Sequence, residues 1–183
     1  MNAVSIAFGN LYLNKFYSFM DNDKVIKFEI TITHSQFDSD YITKGDFYFV
    51  EHNHYVFDTK LERLIFNNDQ IVTFNKVDRQ VLYENKISET FSIFDIFKPK
   101  NKLIKASKFE LIGQEVEIYF DIKELSSSGS LIINATDGSP KLIKVSTEDK
   151  INIELKIKSV TTSSKLELKD IDTSQFSIID LRG

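Results

Sequence analysis

The chain has 183 residues, 42% of them apolar and 27% charged, with a formal net charge of −4. That length and apolar content suit one folded domain, 1–183, and exclude general disorder. The lack of Cys excludes disulfides and thiolate metal sites, and lysines and arginines interspersed with acids leave no electrostatic footprint for nucleic acid.

From the N-terminus, no stretch is apolar for long enough to span a bilayer. The first residues lack a basic n-region, so they are expected to be mature sequence with no signal peptide on this chain. Phe8, Leu11, Tyr12, Phe16 and Phe19 recur at near-helical spacing, which predicts an amphipathic helix over 4–20, ended by Asp21-Asn22-Asp23. Strands follow at 24–34, 40–50 and 54–59. The next two, 62–67 and 70–75, flank the turn Asn67-Asn68-Asp69, and another covers 79–85. Ser88 is a candidate N-cap for a short helix over 89–97 that carries Phe91, Phe94 and Phe97, with Pro99 beyond it. Strands resume at 107–112 and 115–122. Ser126-Ser127-Ser128-Gly129 is expected to be a mobile loop. Residues 130–136 and 141–147 form a hairpin across Asp137-Gly138-Ser139-Pro140, and 151–159 and 176–181 complete the series.

This pattern predicts a mainly β (α+β) fold: a strongly curved antiparallel sheet of about ten or eleven strands. The expected form is an open half-barrel, with the N-terminal helix and the short plug helix on its concave face.

The alternation within the strands selects the candidate site. Phe28 and Ile30 alternate with Lys27, Glu29 and Thr31; Phe47 and Phe49 alternate with Tyr48 and Val50; Tyr55 and Phe57 alternate with His54 and Val56. A period of two puts each set on one face. Ordinary core packing accounts for any one of these residues as well as ligand contact does. As a set, Phe28, Ile30, Phe47, Phe49, Tyr55 and Phe57, with Phe91 and Phe94 from the plug, are expected to line an apolar cavity suited to acyl chains. Sixteen Phe and no Trp fit such an interior, because Phe fills space without needing a hydrogen-bond partner.

The order of these elements resembles that of the periplasmic outer-membrane lipoprotein carrier family, the LolA-like proteins. Phe28-Glu29-Ile30-Thr31-Ile32-Thr33 resembles the family's first strand, and Gly45-Asp46-Phe47-Tyr48-Phe49 its second. Asn53-His54-Tyr55-Val56-Phe57 and Ile65-Phe66-Asn67-Asn68-Asp69-Gln70 resemble the strand and hairpin that follow, and Gln80-Val81 the next strand. Asp172-Thr173-Ser174-Gln175-Phe176 and Ile179-Asp180-Leu181-Arg182 resemble the family's closing segments. Where many members carry a basic residue and Pro before the second aromatic strand, this chain has Glu51-His52, so that cationic role does not carry over. The resemblance implies a monomeric, cofactor-free, non-enzymatic periplasmic chaperone. Such a carrier takes lipoproteins by their acyl chains from an inner-membrane ABC-type release complex to an outer-membrane receptor. A lipid- or lipoprotein-binding sensor or scaffold of the same fold is the alternative binding role.

A rival of another class is a metal-dependent enzyme on a β-barrel. His52 and His54, two apart on a strand and followed by Asp58, are similar to the first cupin metal motif. The expected spacing from Gly45 is off by one, and the third downstream His is missing, since the remaining histidine, His34, lies upstream. There is no Cys, no Gly-x-Ser-x-Gly elbow, no phosphate loop and no dinucleotide fingerprint.

Overall fold

The structure is a computed structural model. It describes residues 3–21, 23–37, 39–51, 53–86, 91–98, 104–122, 127–147 and 151–182, with the side chains of 3–10 left aside. Helix α1 (Ala3–Met20) leads into strands β1 (Val25–Gln36), β2 (Ser39–Glu51), β3 (His54–Thr59), β4 (Glu62–Asn67), β5 (Gln70–Asn75) and β6 (Gln80–Asn85). A 3₁₀ helix (Ile93–Phe97) separates these from β7 (Ile104–Ile112), β8 (Glu115–Ile122), β9 (Ser127–Asn134), β10 (Pro140–Thr147), β11 (Asn152–Ser163) and β12 (Ser177–Asp180). The strands hydrogen-bond in the order β12-β6-β5-β4-β3-β2-β1-β11-β10-β9-β8-β7. The order does not close on itself, so the mainly β, open-sheet architecture with an N-terminal helix is as expected.

By contact the chain divides into two compact units. The first comprises Met1–Asn22, Ile30–Thr43 and Ser92–Lys158; the second comprises Asp23–Glu29, Lys44–Phe91 and Ser159–Gly183.

In the first unit, register aligns Ile118, Leu131, Ile143 and Leu155 as one cross-strand row, and all four are fully buried. Helix α1 packs on β7 and β8 through Leu13, Phe16 and Met20. Leu11, placed on the apolar face by the sequence reading, is 48% exposed, and Tyr12 and Phe19 lie at the margin of the buried stripe. The stripe follows the 13, 16, 20 spacing, and Leu11 falls on the far side of the helix. The Phe8 side chain lies outside the described residues. The helix is tied to the β9–β10 turn by Lys15, whose Nζ donates to the Ala135 carbonyl at 2.8 Å. Gly138 (φ +78°) permits this approach, because a Cβ there would stand 2.4 Å from the Lys15 carbonyl oxygen.

Three expectations need correction. The helix expected over 89–97 is a 3₁₀ helix of five residues, Ile93–Phe97. Its N-cap is Ser92, whose side chain accepts from the Phe94 amide while Asp95 accepts from the Ser92 amide. This capping box sets the start, and Ser88 lies outside the described residues. Ser127, Ser128 and Gly129, expected in a loop, open strand β9. Gly129 faces Phe120 across the ladder, and a Cβ there would sit 2.7 Å from the Phe120 ring and 2.2 Å from the Lys144 carbonyl oxygen. The glycine therefore makes room for a ring inside the sheet. Ser126 lies outside the described residues. Finally, β12 pairs with β6 in parallel, so the sheet is not wholly antiparallel.

The second unit is an antiparallel meander, β2 to β6, with the segment 164–176 crossing one of its faces before β12. Leu166 and Leu168 of that segment pack on the cluster of Val25, Tyr48 and Val56, as do Val50 and Ile65. This strap explains why the residues alternating with the large aromatic ones are themselves apolar.

Candidate functional site

The candidate residues are organised by strand register. In β2 and β3, Phe47 stands opposite Phe57 and Phe49 opposite Tyr55. Directly opposed residues share a face, so all four do, as the period-two spacing predicts. Tyr55 in turn opposes Phe66 of β4. The ring centroids of Phe28 and Phe47 are 5.9 Å apart, those of Phe47 and Tyr55 5.6 Å, and those of Tyr55 and Phe66 4.2 Å. Four rings on four strands therefore form a continuous aromatic ladder within the second unit. Gly45 supports its edge: a Cβ there would lie 2.5 Å from the Asp58 carbonyl oxygen and 2.9 Å from the Phe57 ring. A glycine just before the aromatic pair lets the Phe57 ring come close to the backbone.

Phe28, Phe47, Phe49, Tyr55 and Phe57 are buried, and Phe91, at the end of the second unit, is half-buried. Ile30 and Phe94 are also buried and belong to the first unit, where the 3₁₀ helix meets α1 through Phe97 and Phe16, with ring centroids 6.1 Å apart. Sequence reasoning missed Phe66. Its signal was available: with the turn fixed at Asn67-Asn68-Asp69, Phe66 falls one step from the turn on the same face as Leu64.

The opposite face of the second unit is polar at one end. Lys27 Nζ lies 2.8 Å from Asp46 Oδ2 and sits over the Tyr48 ring, 5.5 Å from its centroid. The hydrogen bond to Asp46 holds the Lys27 ammonium above its usual pKa. Burial pushes the Tyr48 phenol up, against the opposing pull of Lys27. Beside them, a cleft of about 100 Å³ is lined by Val25, Lys27, Tyr48, Thr161, Ser163, Lys165 and Glu167. Its volume is below the ~300 Å³ at which ligand pockets for drug-sized molecules begin, and the aromatic ladder residues do not line it.

On that same face Asp58 accepts two hydrogen bonds from Arg63, each at 3.0 Å, and one from Lys76 Nζ at 2.6 Å. Burial raises the Asp58 pKa, but the hydrogen bonds and charges of Arg63 and Lys76 outweigh it, and the carboxyl lies below its ordinary value. This cluster joins β3, β4 and the β5–β6 turn and is a structural tie. Of the proposed metal pair, His54 is half-buried at the start of β3, and His52 lies outside the described residues. Among the described residues no group of three or more His, Cys, Asp or Glu side chains comes together to hold a metal.

No family model matches the chain, and no curated protein matches it by sequence. Solved structures do. An uncharacterized conserved protein from Thermus thermophilus is similar over 93% of this chain and 98% of its own, with a TM-score of 0.62 at 8% identity. A DUF1329 family protein from Desulfovibrio piger is similar over 89% of this chain and 95% of its own, with a TM-score of 0.54 at 8% identity. The order found here, helix, strands, short mid-chain turn, strands, is the one the carrier-family resemblance implies.

The chain shares its fold with these two proteins. A LolA superfamily protein from Nitrosomonas europaea is also similar over 96% of this chain and 98% of its own, with a TM-score of 0.47 at 9% identity. At such identities the likeness is one of fold. The aromatic ladder itself is therefore the candidate site.

Proposed function

We propose that the protein is a non-enzymatic periplasmic carrier that shields the acyl chains of lipoproteins between an inner-membrane ABC-type release complex and an outer-membrane receptor. The observation that carries this reading is the aromatic ladder, Phe28–Phe47–Tyr55–Phe66, buried except at the half-buried Phe66 and flanked by the buried Phe49 and Phe57. An acyl chain offers about 0.8 kcal/mol per buried methylene, roughly 11 kcal/mol for ~14 methylenes before ordering costs. Here the ladder residues already bury one another, so a chain enters only by displacing contacts between them. That opening cost offsets part of the burial and leaves a net affinity low enough for release. Burial and exposure of methylenes perform this work, with no bond made and no metal or cofactor required.

The test is transfer of a purified triacylated lipoprotein from donor membranes into the supernatant, read by sedimentation. Wild type is expected to solubilise it. Phe57→Trp, with folding checked by circular dichroism, is expected to weaken uptake, about fourfold for each methylene displaced. His54→Asn and added chelator are expected to leave it unchanged. Failure of the wild type to solubilise lipoprotein overturns the carrier role, and loss of transfer on chelation overturns its metal-free mechanism.

A further inference from the structure

The β1–β2 hairpin carries an apolar tip that the ladder does not use. The β2 register with β3 begins at Gly45, so residues 39–44 have no β3 partner, and all six are exposed. At the tip Phe37 is 86% exposed, and behind it Tyr41 and Ile42 are 65% and 62% exposed. Phe37 also has φ +49°. A bulky side chain in the left-handed region is a steric outlier where Asn or Gly is the usual solution. Phe37 thus combines a strained backbone with an apolar ring in solvent, and neither the turn nor the core accounts for it.

We propose that this tip is a bilayer-contact element, with Phe37 entering the acyl region and Tyr41 at headgroup level. Tyr41 and Ile42 are adjacent on one strand, so they project from opposite faces of the hairpin. A protein partner seated on one face would leave the other in water. A fluid bilayer closes around the whole tip and buries Phe37, Tyr41 and Ile42 together. The ring of Tyr41, amphipathic and 6.5 Å from the His34 ring centroid, suits the interfacial zone where Tyr collects. The sequence of the tip carries Asp38, Asp40 and Lys44, two acids and one base. This tip therefore has no polybasic character, and zwitterionic lipid is the partner it fits.

The chain contains no Trp, so Phe37→Trp places a single reporter at the tip. With phosphatidylcholine vesicles its emission is expected to shift to the blue and to be quenched by lipids brominated on the acyl chain. Phe37→Asn should relieve the backbone, leave thermal stability equal or higher, and lower vesicle co-flotation at least about tenfold against wild type. Adding phosphatidylglycerol should not strengthen binding. The proposal is overturned if the Trp emission is indifferent to vesicles or if Phe37→Asn floats like wild type. It is equally overturned if the blue shift arises on concentrating the protein without lipid, which would assign the tip to a contact between copies. None of these outcomes touches acyl-chain uptake by the ladder, which is read separately by lipoprotein solubilisation.

Discussion

Tyr55 and Phe66 face each other across β3 and β4 with ring centroids 4.2 Å apart and planes inclined by 20°. Offset stacking of this kind contributes about 0.5–1.5 kcal/mol beyond the area the rings bury. A double-mutant cycle with Tyr55→Leu, Phe66→Leu and the pair, followed by urea unfolding, should return a coupling energy in that range. A coupling near zero would mean the rings act only as apolar bulk, and the ladder would lose its status as a specific arrangement.

The Asp58–Arg63–Lys76 tie makes a prediction in pH. The folded Asp58 pKa lies below its ordinary value, so the unfolded state binds the proton more readily. The stabilisation is then fully present above about pH 4 and is lost as pH falls through the folded pKa. Arg63 is only 9% exposed, and Asp58→Asn leaves its guanidinium short of a counter-charge. This substitution should cost about 1–3 kcal/mol at pH 7. The gap to wild type should close below pH 4, as measured by urea midpoints along a pH series. A gap that stays constant from pH 7 to pH 3 would show that Asp58 acts through shape alone.

Much of the fold is legible locally. The bounds of β3, β4, β5 and β8 follow from alternation broken by turn residues, and Asn68 at φ +54° supplies the hairpin that the Asn67-Asn68-Asp69 sequence announces. The shared face of Phe47, Phe49, Tyr55 and Phe57 follows from the same period. What escapes is set by distant partners. Gly129 reads as loop until Phe120 is known to lie over it. The parallel pairing of β12 depends on a connection whose path has no periodic signature. The apolar character of Tyr48 and Val56 was visible in the sequence, but its reason, Leu166 and Leu168 more than a hundred residues away, was not. Asp58 offered only a motif-like echo of a metal ligand, and its actual partners are two cations.

The strap carries the last prediction. Leu166 and Leu168 are half-buried against Val25, Tyr48 and Val56, and full burial of a Leu contributes about 1.5–3 kcal/mol. At half burial, Leu166→Ser and Leu168→Ser should each cost about 1 kcal/mol. They act by uncovering one face of the meander, so the double variant should also bind a hydrophobic dye more strongly while its far-ultraviolet circular dichroism stays native. Leu111→Ser is the matched control: Leu111 is 58% exposed, and a surface change of that kind should stay within about 0.5 kcal/mol. If the double variant matches this control in both urea midpoint and dye binding, residues 164–176 are a passive connection to β12. If it loses stability and gains dye, they are the cover that keeps the second face of this sheet out of water, leaving the aromatic ladder as the face available to a ligand.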